Sequence, residues 1–263
     1  MPFLQADSLR YYSFESLIDA PVTQAVFTRR GGASQGAYTS LNVGSTVGDE
    51  PAAVRQNIEA MFAAANRSPS SIFDSWLVHG DEALVADAPH PPDRPRPPQG
   101  DIILTNKPGV SLFMRYADCV PLLFYDPVQR AIGLAHAGWK GAVLKVAATA
   151  VKAMQMHYGS RPSDLFACIG PAISVQRYEV GSEVVEQVQT AFGSQAGALL
   201  PRVNGSTHFD LWGANHLTLR EVGVHQIEVA GLCTCTDSAD WFSHRASGGL
   251  TGRFGVLLAL DPL

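Results

Sequence analysis

The residues of this 263-residue chain best suited to chemistry are two imidazoles and one thiol, in Val78-His79-Gly80, Ala117-Asp118-Cys119 and Ala135-His136-Ala137-Gly138-Trp139-Lys140-Gly141. A catalytic zinc takes three nitrogen or sulfur ligands and leaves its fourth position to water or substrate. A His/Cys/His trio from three segments therefore suits an ion that reacts more than one that only crosslinks. Taken singly, each residue has a plainer reading. Cys119, between two apolar runs, also reads as a small buried hydrophobe, and His79, after Trp76-Leu77-Val78, as a group closing a strand.

The neighbours of the trio add to it. Asp118 is a carboxylate in an apolar stretch, costly to bury without a partner, so it marks a polar cavity. It reads either as a proton-transfer group or as a brace for a ligand histidine. His136 ends the apolar run 131–135 and leads into Gly138, at a strand-to-helix turn where small residues permit close approach. Lys140, beside the helix start, reads as a phosphate partner or as a solvated lysine. Two glycine-rich segments supply further donors. In Thr28-Arg29-Arg30-Gly31-Gly32 an arginine can fork onto phosphate or carboxylate. Ser243-His244-Arg245, followed by Gly248-Gly249 and Thr251-Gly252-Arg253, is either a loop able to wrap a polar ligand or an ordinary glycine-rich loop. His90, His157, His208, His216 and His225 read as surface groups. Cys233 and Cys235, one residue apart with no second pair, read as structural thiols.

These residues must be carried by a mixed set of elements. Apolar runs predict strands at 24–28, 76–78, 101–105, 110–116, 121–125, 131–135, 165–169, 226–230 and 254–260. Val54, Ile58, Met61, Phe62 and Ala65 keep helical spacing behind Pro51. Val143, Val146, Ala147, Ala150, Val151, Met154 and Tyr158 predict one helix over 141–159, ended by Gly159. Two more helices are expected at 182–192, opening on Ser182, and at 211–222, capped by Asp210. Six prolines fall within residues 89–98, so 88–100 reads as an extended loop inserted between strands. With strands on both sides and no repeat, residues 1–263 read as a single mixed-sheet α/β domain.

Composition narrows the function. The chain is 46% hydrophobic and 16% charged with a net charge of −5, enough apolar residues for a sizeable core. No basic block extends beyond Arg29-Arg30, which argues against nucleic acid as a partner. No run approaches about 18 uninterrupted apolar residues, so no membrane span is expected. Residues 1–10 lack a basic start followed by an apolar run, and the four cysteines are too sparse for a disulfide framework, so a cytoplasmic setting is expected. Gly-x-Gly-x-x-Gly is absent, as are the His-x-Glu and Pro-Cys-x-x-Cys of zinc base deaminases.

Taken in chain order, Thr28-Arg29-x-Gly-Gly, Leu41-Asn42-Val43-Gly44, Val78-His79-Gly80, Ala117-Asp118-Cys119-Val120-Pro121, the Ala135-to-Gly141 segment, Ile169-Gly170-Pro171 with Tyr178-Glu179-Val180, Cys233-Thr234 and Ser243-His244-Arg245 to Thr251-Gly252-Arg253 closely resemble the YfiH family. This is the laccase-domain family, also named for multicopper polyphenol oxidases, and its members include broad purine nucleoside phosphorylases. The resemblance runs nearly end to end. It implies a fold similar to the catalytic domain of cytotoxic necrotizing factor and a zinc bound by His79, Cys119 and His136. It further implies phosphorolysis of adenosine, inosine and methylthioadenosine to free base and a sugar 1-phosphate, with adenosine deamination besides. On that reading Cys119, Asp118 and His136 are catalytic. Arg29, Lys140 and Arg245 are candidates for phosphate, and Asn42, Ser243 and His244 for ribose or base. The chain departs from the family's usual residues at Leu77, where Gln is common, at Ile58, where Arg is common, and at Cys235, where an aromatic is common.

Other classes stay open. Cys119 as nucleophile with His136 as base would make an amide hydrolase editing a peptidoglycan precursor. A nonenzymatic module sensing a nucleoside or metal would use the same residues. The oxidase label demands many histidines, typically in His-x-His pairs; none occurs here, although copper can bind the trio adventitiously.

Overall fold

Strands apolar on both faces need cover on both sides, and β8 (Val120–Asp126), β9 (Ala131–Ala137) and β14 (Phe254–Leu260) are buried at every residue. The computed structural model, which describes residues 2–91 and 96–262, meets that need with four layers. Among the described residues, one six-stranded sheet runs in the order β1 (Phe3–Ala6), β2 (Leu9–Tyr12), β3 (Val22–Phe27), β14, β7 (Ser111–Tyr116), β4 (Ile72–Asp74). The other runs β13 (Gln226–Val229), β10 (Phe166–Ile169), β8, β9, β6 (Ile102–Thr105), β5 (Ala83–Val85). Both sheets are mixed: β4 pairs with β7, β5 with β6 and β10 with β13 in parallel, and the other pairs are antiparallel. A small hairpin joins β11 (Arg202–Val203) to β12 (Ser206–Thr207).

Side chains alternate between layers as strand geometry requires. In β7, Leu112, Met114 and Tyr116 join the core between the sheets, while Phe113 packs with Met61 and Phe62 of α1 (Pro51–Ala64) on the outer face. In β8, Leu123 and Tyr125 face the other sheet. Val120, Leu122 and Phe124 face the helical layer, made of α2 (Trp139–Val143), α3 (Val146–Tyr158), α4 (Ser182–Phe192), α5 (Ala196–Leu199) and α6 (Leu211–Glu221).

Several elements differ from the sequence reading. The helix expected over 141–159 is two helices, because Lys145 adopts a left-handed backbone (φ 57°), with its ammonium on Glu221 at 2.9 Å. The strand expected at 76–78 lies instead at β4, and Trp76 keeps only an isolated bridge to Gln99. Ser182 opens α4 without a side-chain cap; Gly181 holds the N-cap position. β1, β2 and β5 went unanticipated, being three or four residues long. His208 and His90 are not surface groups: His208 is buried against the Val175 carbonyl, and His90 stacks on Phe73. Of the proline loop 88–100, residues 92–95 lie outside those described.

Two connections cross from one sheet to the other at the same end of the molecule. β7 passes straight into β8 through Ala117-Asp118-Cys119, where Asp118 takes φ 85°, and β4 passes to β5 through the segment holding His79, at φ 57°. β9 reaches that end with His136 paired to Pro121. A cysteine and two histidines distant in sequence are thereby delivered to one place.

The Asp210 side chain accepts from the Gly213 amide and caps α6. Asp210→Ala is expected to cost about 1 kcal/mol of folding free energy, read as a lowered urea midpoint with an unchanged slope.

Candidate active site

His79, Cys119 and His136 place one ligand atom each within 4.8 Å of one another. His136 is buried, Cys119 half-buried and His79 the most exposed. The ring centroids of the two histidines are 5.0 Å apart. A Cβ built on Gly138 would lie 2.8 Å from the Cys119 sulfur and 3.4 Å from His79 Nδ1, so glycine here leaves the space in front of the thiol open. Two nitrogens and a sulfur converging on a cradle that one methyl group would fill is a donor set and a volume that fit a borderline-soft divalent ion.

One carboxylate that the sequence reading did not single out holds two of these ligands. Asp101, fully buried at the start of β6, takes His136 Nδ1 on Oδ1 at 2.9 Å. Its Oδ2 accepts the amides of Val78 and Gly80, both at 3.0 Å, which clamps the backbone on either side of His79. With Nδ1 so committed, Nε2 is the His136 nitrogen left for an ion. Burial alone would raise the Asp101 pKa, but the bonds from His136, Gly80 and Val78 outweigh it and hold the carboxyl below its usual range. Burial likewise lowers the His136 pKa, yet Cys119 and Asp101 overcome it and push the ring up to about 9. His79 moves the other way, lowered by desolvation and by its neighbours His136 and Lys140. The signal for Asp101 was available: a carboxylate opening a wholly buried strand, the same argument applied to Asp118.

Asp118 faces two adjoining cavities and is bonded to two loops. Its Oδ1 accepts the Thr234 hydroxyl at 2.6 Å and its Oδ2 the Arg245 amide at 2.7 Å. It ties the Cys119 crossing to two loops, and Asp101 is the brace of the histidine.

A cavity of about 710 Å³ opens beside the trio, lined by residues including His79, Asp118, Cys119, His136, Tyr178, His244 and Arg245. It is also lined by Trp76, Leu77, Arg115 and Arg253, of which Trp76, Arg115 and Arg253 were not among the expected site residues. Arg115 is held by Asp74 and the Val43 carbonyl. Arg253 donates to the Thr251 and Gly252 carbonyls. Lys140 lines a smaller adjoining cavity. Arg29, Asn42 and Ser243 line neither. Arg29 lies over the Phe242 ring and donates to the Thr39 and Ser238 carbonyls. Asn42 accepts the Gly44 and Arg253 amides, and Ser243 accepts the Ala246 amide, so both shape the loops that carry cavity residues. Leu77 faces the large cavity, whereas Ile58 packs between α1 and the first sheet. The string Gly32-Ala33-Ser34-Gln35-Gly36 spells Gly-x-Ser-x-Gly but is no nucleophile elbow: it lies on a loop, with the Ser34 hydroxyl on Asp49 and Asn57.

Mixed sheets joined at one end by two crossings, with a His/Cys/His cluster at that end, define an α/β protein with a metal-competent cleft. The chain belongs to the family described as multi-copper polyphenol oxidoreductase laccase, the YfiH family, whose model matches residues 23–261. It is 37% identical over 247 residues to a Deinococcus radiodurans protein named purine nucleoside phosphorylase, covering 93% of this chain and 92% of that one. It is 33% identical to purine nucleoside phosphorylase YfiH of Escherichia coli, covering 89% of this chain and 91% of that one. Among solved structures, YlmD from Geobacillus stearothermophilus superposes with a TM-score of 0.91 at 29% identity, and Bacillus licheniformis YfiH with 0.89 at 30%, each covering 99% of both chains. No helix among the described residues is long and apolar enough to cross a membrane.

Asp101→Asn should keep the fold but lower zinc affinity about 10- to 100-fold in competition with a chromogenic chelator. Because an ion must displace the proton that Asp101 and Cys119 help His136 to hold, and any proton on the Cys119 sulfur, apparent zinc affinity should climb as pH rises from neutrality toward about 9.

Proposed function

We propose that this protein is a zinc-dependent purine nucleoside phosphorylase acting on adenosine, inosine and methylthioadenosine, with adenosine deamination as a side activity. The observation that carries the reading is the convergence of His79, Cys119 and His136 on one cradle beside a cavity lined by several arginines. The relatives named purine nucleoside phosphorylase support it. His79, Cys119 and His136 would hold the ion, which would supply Lewis acidity at the cavity.

The chain's own residues do the rest. Asp101 fixes the His136 imidazole and the backbone on either side of His79. Arg245 and Lys140, the two cations of the expected set that face the cavities, are candidates to hold phosphate, joined by Arg115 and Arg253. A phosphate oxygen forms the new bond to the sugar C1′ while the glycosidic C–N bond breaks, and the departing base keeps the electron pair and takes up a proton. The protein's part is to align these groups and exclude water. His244 lines the cavity and is a candidate for ribose or base.

A second reading has one observation in its favour: Cys119, His136 and Asp101 form a thiol, imidazole and carboxylate in series, as a cysteine amide hydrolase uses. The two uses of the sulfur compete, because a thiolate bound to an ion is not free to attack. A polyphenol oxidase has less support. A multicopper centre needs many histidines, and the described residues hold a single cluster of three ligands.

Incubation of zinc-loaded protein with inosine should release hypoxanthine only when phosphate is present, read by chromatography. Cys119→Ala should lose both tight zinc binding and this activity. Phosphorolysis that persists after thiol alkylation of the metal-free chain would sink the assignment.

A further inference from the structure

Two of the three ligand residues, His79 and Cys119, sit at a junction of two cavities, not at the bottom of one. The smaller, about 290 Å³, shares His79, Asp118, Cys119, Ile173 and Tyr178 with the larger one, and is closed by Gly138, Trp139, Lys140 and Leu211. A group in either cavity therefore reaches His79 and Cys119, from a different side, while His136 faces the larger cavity alone.

The two sides differ in chemistry. The walls belonging only to the smaller cavity are a half-buried indole, a leucine, a glycine and one lysine at the exposed rim, whose ammonium lies 5.6 Å from the Trp139 ring centre. The shared Tyr178 keeps its proton, since burial and the nearby Cys119 raise its pKa. Such walls suit a flat uncharged aromatic group with one or two polar edges. The volume falls at the bottom of the range for a complete drug-sized ligand, about 300–1,000 Å³, so it suits part of a substrate.

The walls belonging only to the larger cavity include Arg115, Arg253, Ser45, Thr46 and Ser75. Arg253 is anchored to two carbonyls and makes no salt bridge among the described residues. Desolvation lowers its pKa, so a bound anion would be a favourable partner. Ser75 is 6% exposed, and its hydroxyl has no hydrogen-bond partner among the described residues, which leaves a buried polar group in need of one.

We infer that the purine base occupies the smaller cavity against Trp139 while phosphate occupies the arginine-lined arm of the larger one, so that the glycosidic bond lies across the junction at His79 and Cys119. This rests on the phosphorolysis reading and assigns sides within it. Lys140 then faces the polar edge of the base, and phosphate belongs to Arg253 and Arg115. Trp76, in the larger cavity, is the competing platform for the base, 41% exposed.

The test uses zinc-loaded full-length protein with hypoxanthine and inorganic phosphate as separate probes. Hypoxanthine should quench tryptophan fluorescence in the wild type and in Trp76→Phe, but not in Trp139→Phe. Trp139→Ala should weaken hypoxanthine binding about tenfold or more, as loss of a stacking partner does, and leave phosphate affinity within about twofold, with zinc content confirming an intact site. Arg253→Gln should do the reverse, raising the KM for phosphate and sparing that for inosine. Quenching that disappears in Trp76→Phe and survives in Trp139→Phe overturns the assignment, as does phosphate affinity that follows Lys140→Ala and not Arg253→Gln. Wild-type protein that binds no purine overturns the phosphorolysis reading itself, and this assignment with it.

Discussion

The site depends on one buried carboxylate. Asp101 has no exposure to solvent, and its two oxygens are spent on three bonds: one to an imidazole and two to the amides flanking the other histidine. An unpaired carboxylate in that position would be costly, so the three donors stabilise Asp101 as much as it orients them. The Asp101 carbonyl also accepts the His136 amide, so strand pairing and side-chain bonding act on the same residue. His79 needs this clamp more than His136 does. It stands on a crossing in a left-handed conformation uncommon for a non-glycine residue, and it is the most exposed of the three.

Cys119 is fixed by other means. Its crossing turns at Asp118, whose carboxylate is bound by Thr234 and Arg245 and whose carbonyl accepts the Ile173 amide. The thiol is thereby coupled to the segments carrying Ile173, Tyr178 and Arg245, which line the cavities. The two aspartates divide the work: one orients the His136 ring and the backbone that carries His79, and the other ties the turn before the sulfur to the Thr234 and Arg245 loops. Each sits where a strand begins or ends, because there the chain can leave the pleat and aim a polar group sideways.

How much was legible in the sequence follows from range. The strand 254–260 and the helix 182–192 were readable because their apolar pattern and flanking glycines are local. The break at Lys145 was not: the residues on either side keep an unbroken helical pattern, and the ion pair its side chain makes is with Glu221, far along the chain. The trio was visible as residue types suited to an ion, and the structure brings those residues together. Asp101 was missed because its donors lie 21 to 35 positions away and no spacing rule links them. Arg29 and Asn42 looked like ligand groups because their types bind phosphate and ribose. Here their polar atoms are taken up by the Thr39, Ser238 and Gly44 carbonyls, the Gly44 and Arg253 amides and the Asp49 carboxylate.

The cavity is cationic inside an acidic protein, and the way its arginines are anchored explains how both hold at once. Arg253 is held by two carbonyls and Arg245 by the Glu179 carbonyl, with its guanidinium over the Tyr178 ring. A carbonyl or a ring face fixes a guanidinium without cancelling its charge, whereas a carboxylate in contact would neutralise it. Arg115 does share a carboxylate, and Asp74 is itself divided between Arg115 and His90. Charge exposed on the outside is screened by solvent and salt within about 10 Å. The cavity arginines act at contact range in a partly desolvated space, where that screening is weak. An acidic chain can thus present a positive site to an anionic substrate, and no tally of lysines and arginines would show it.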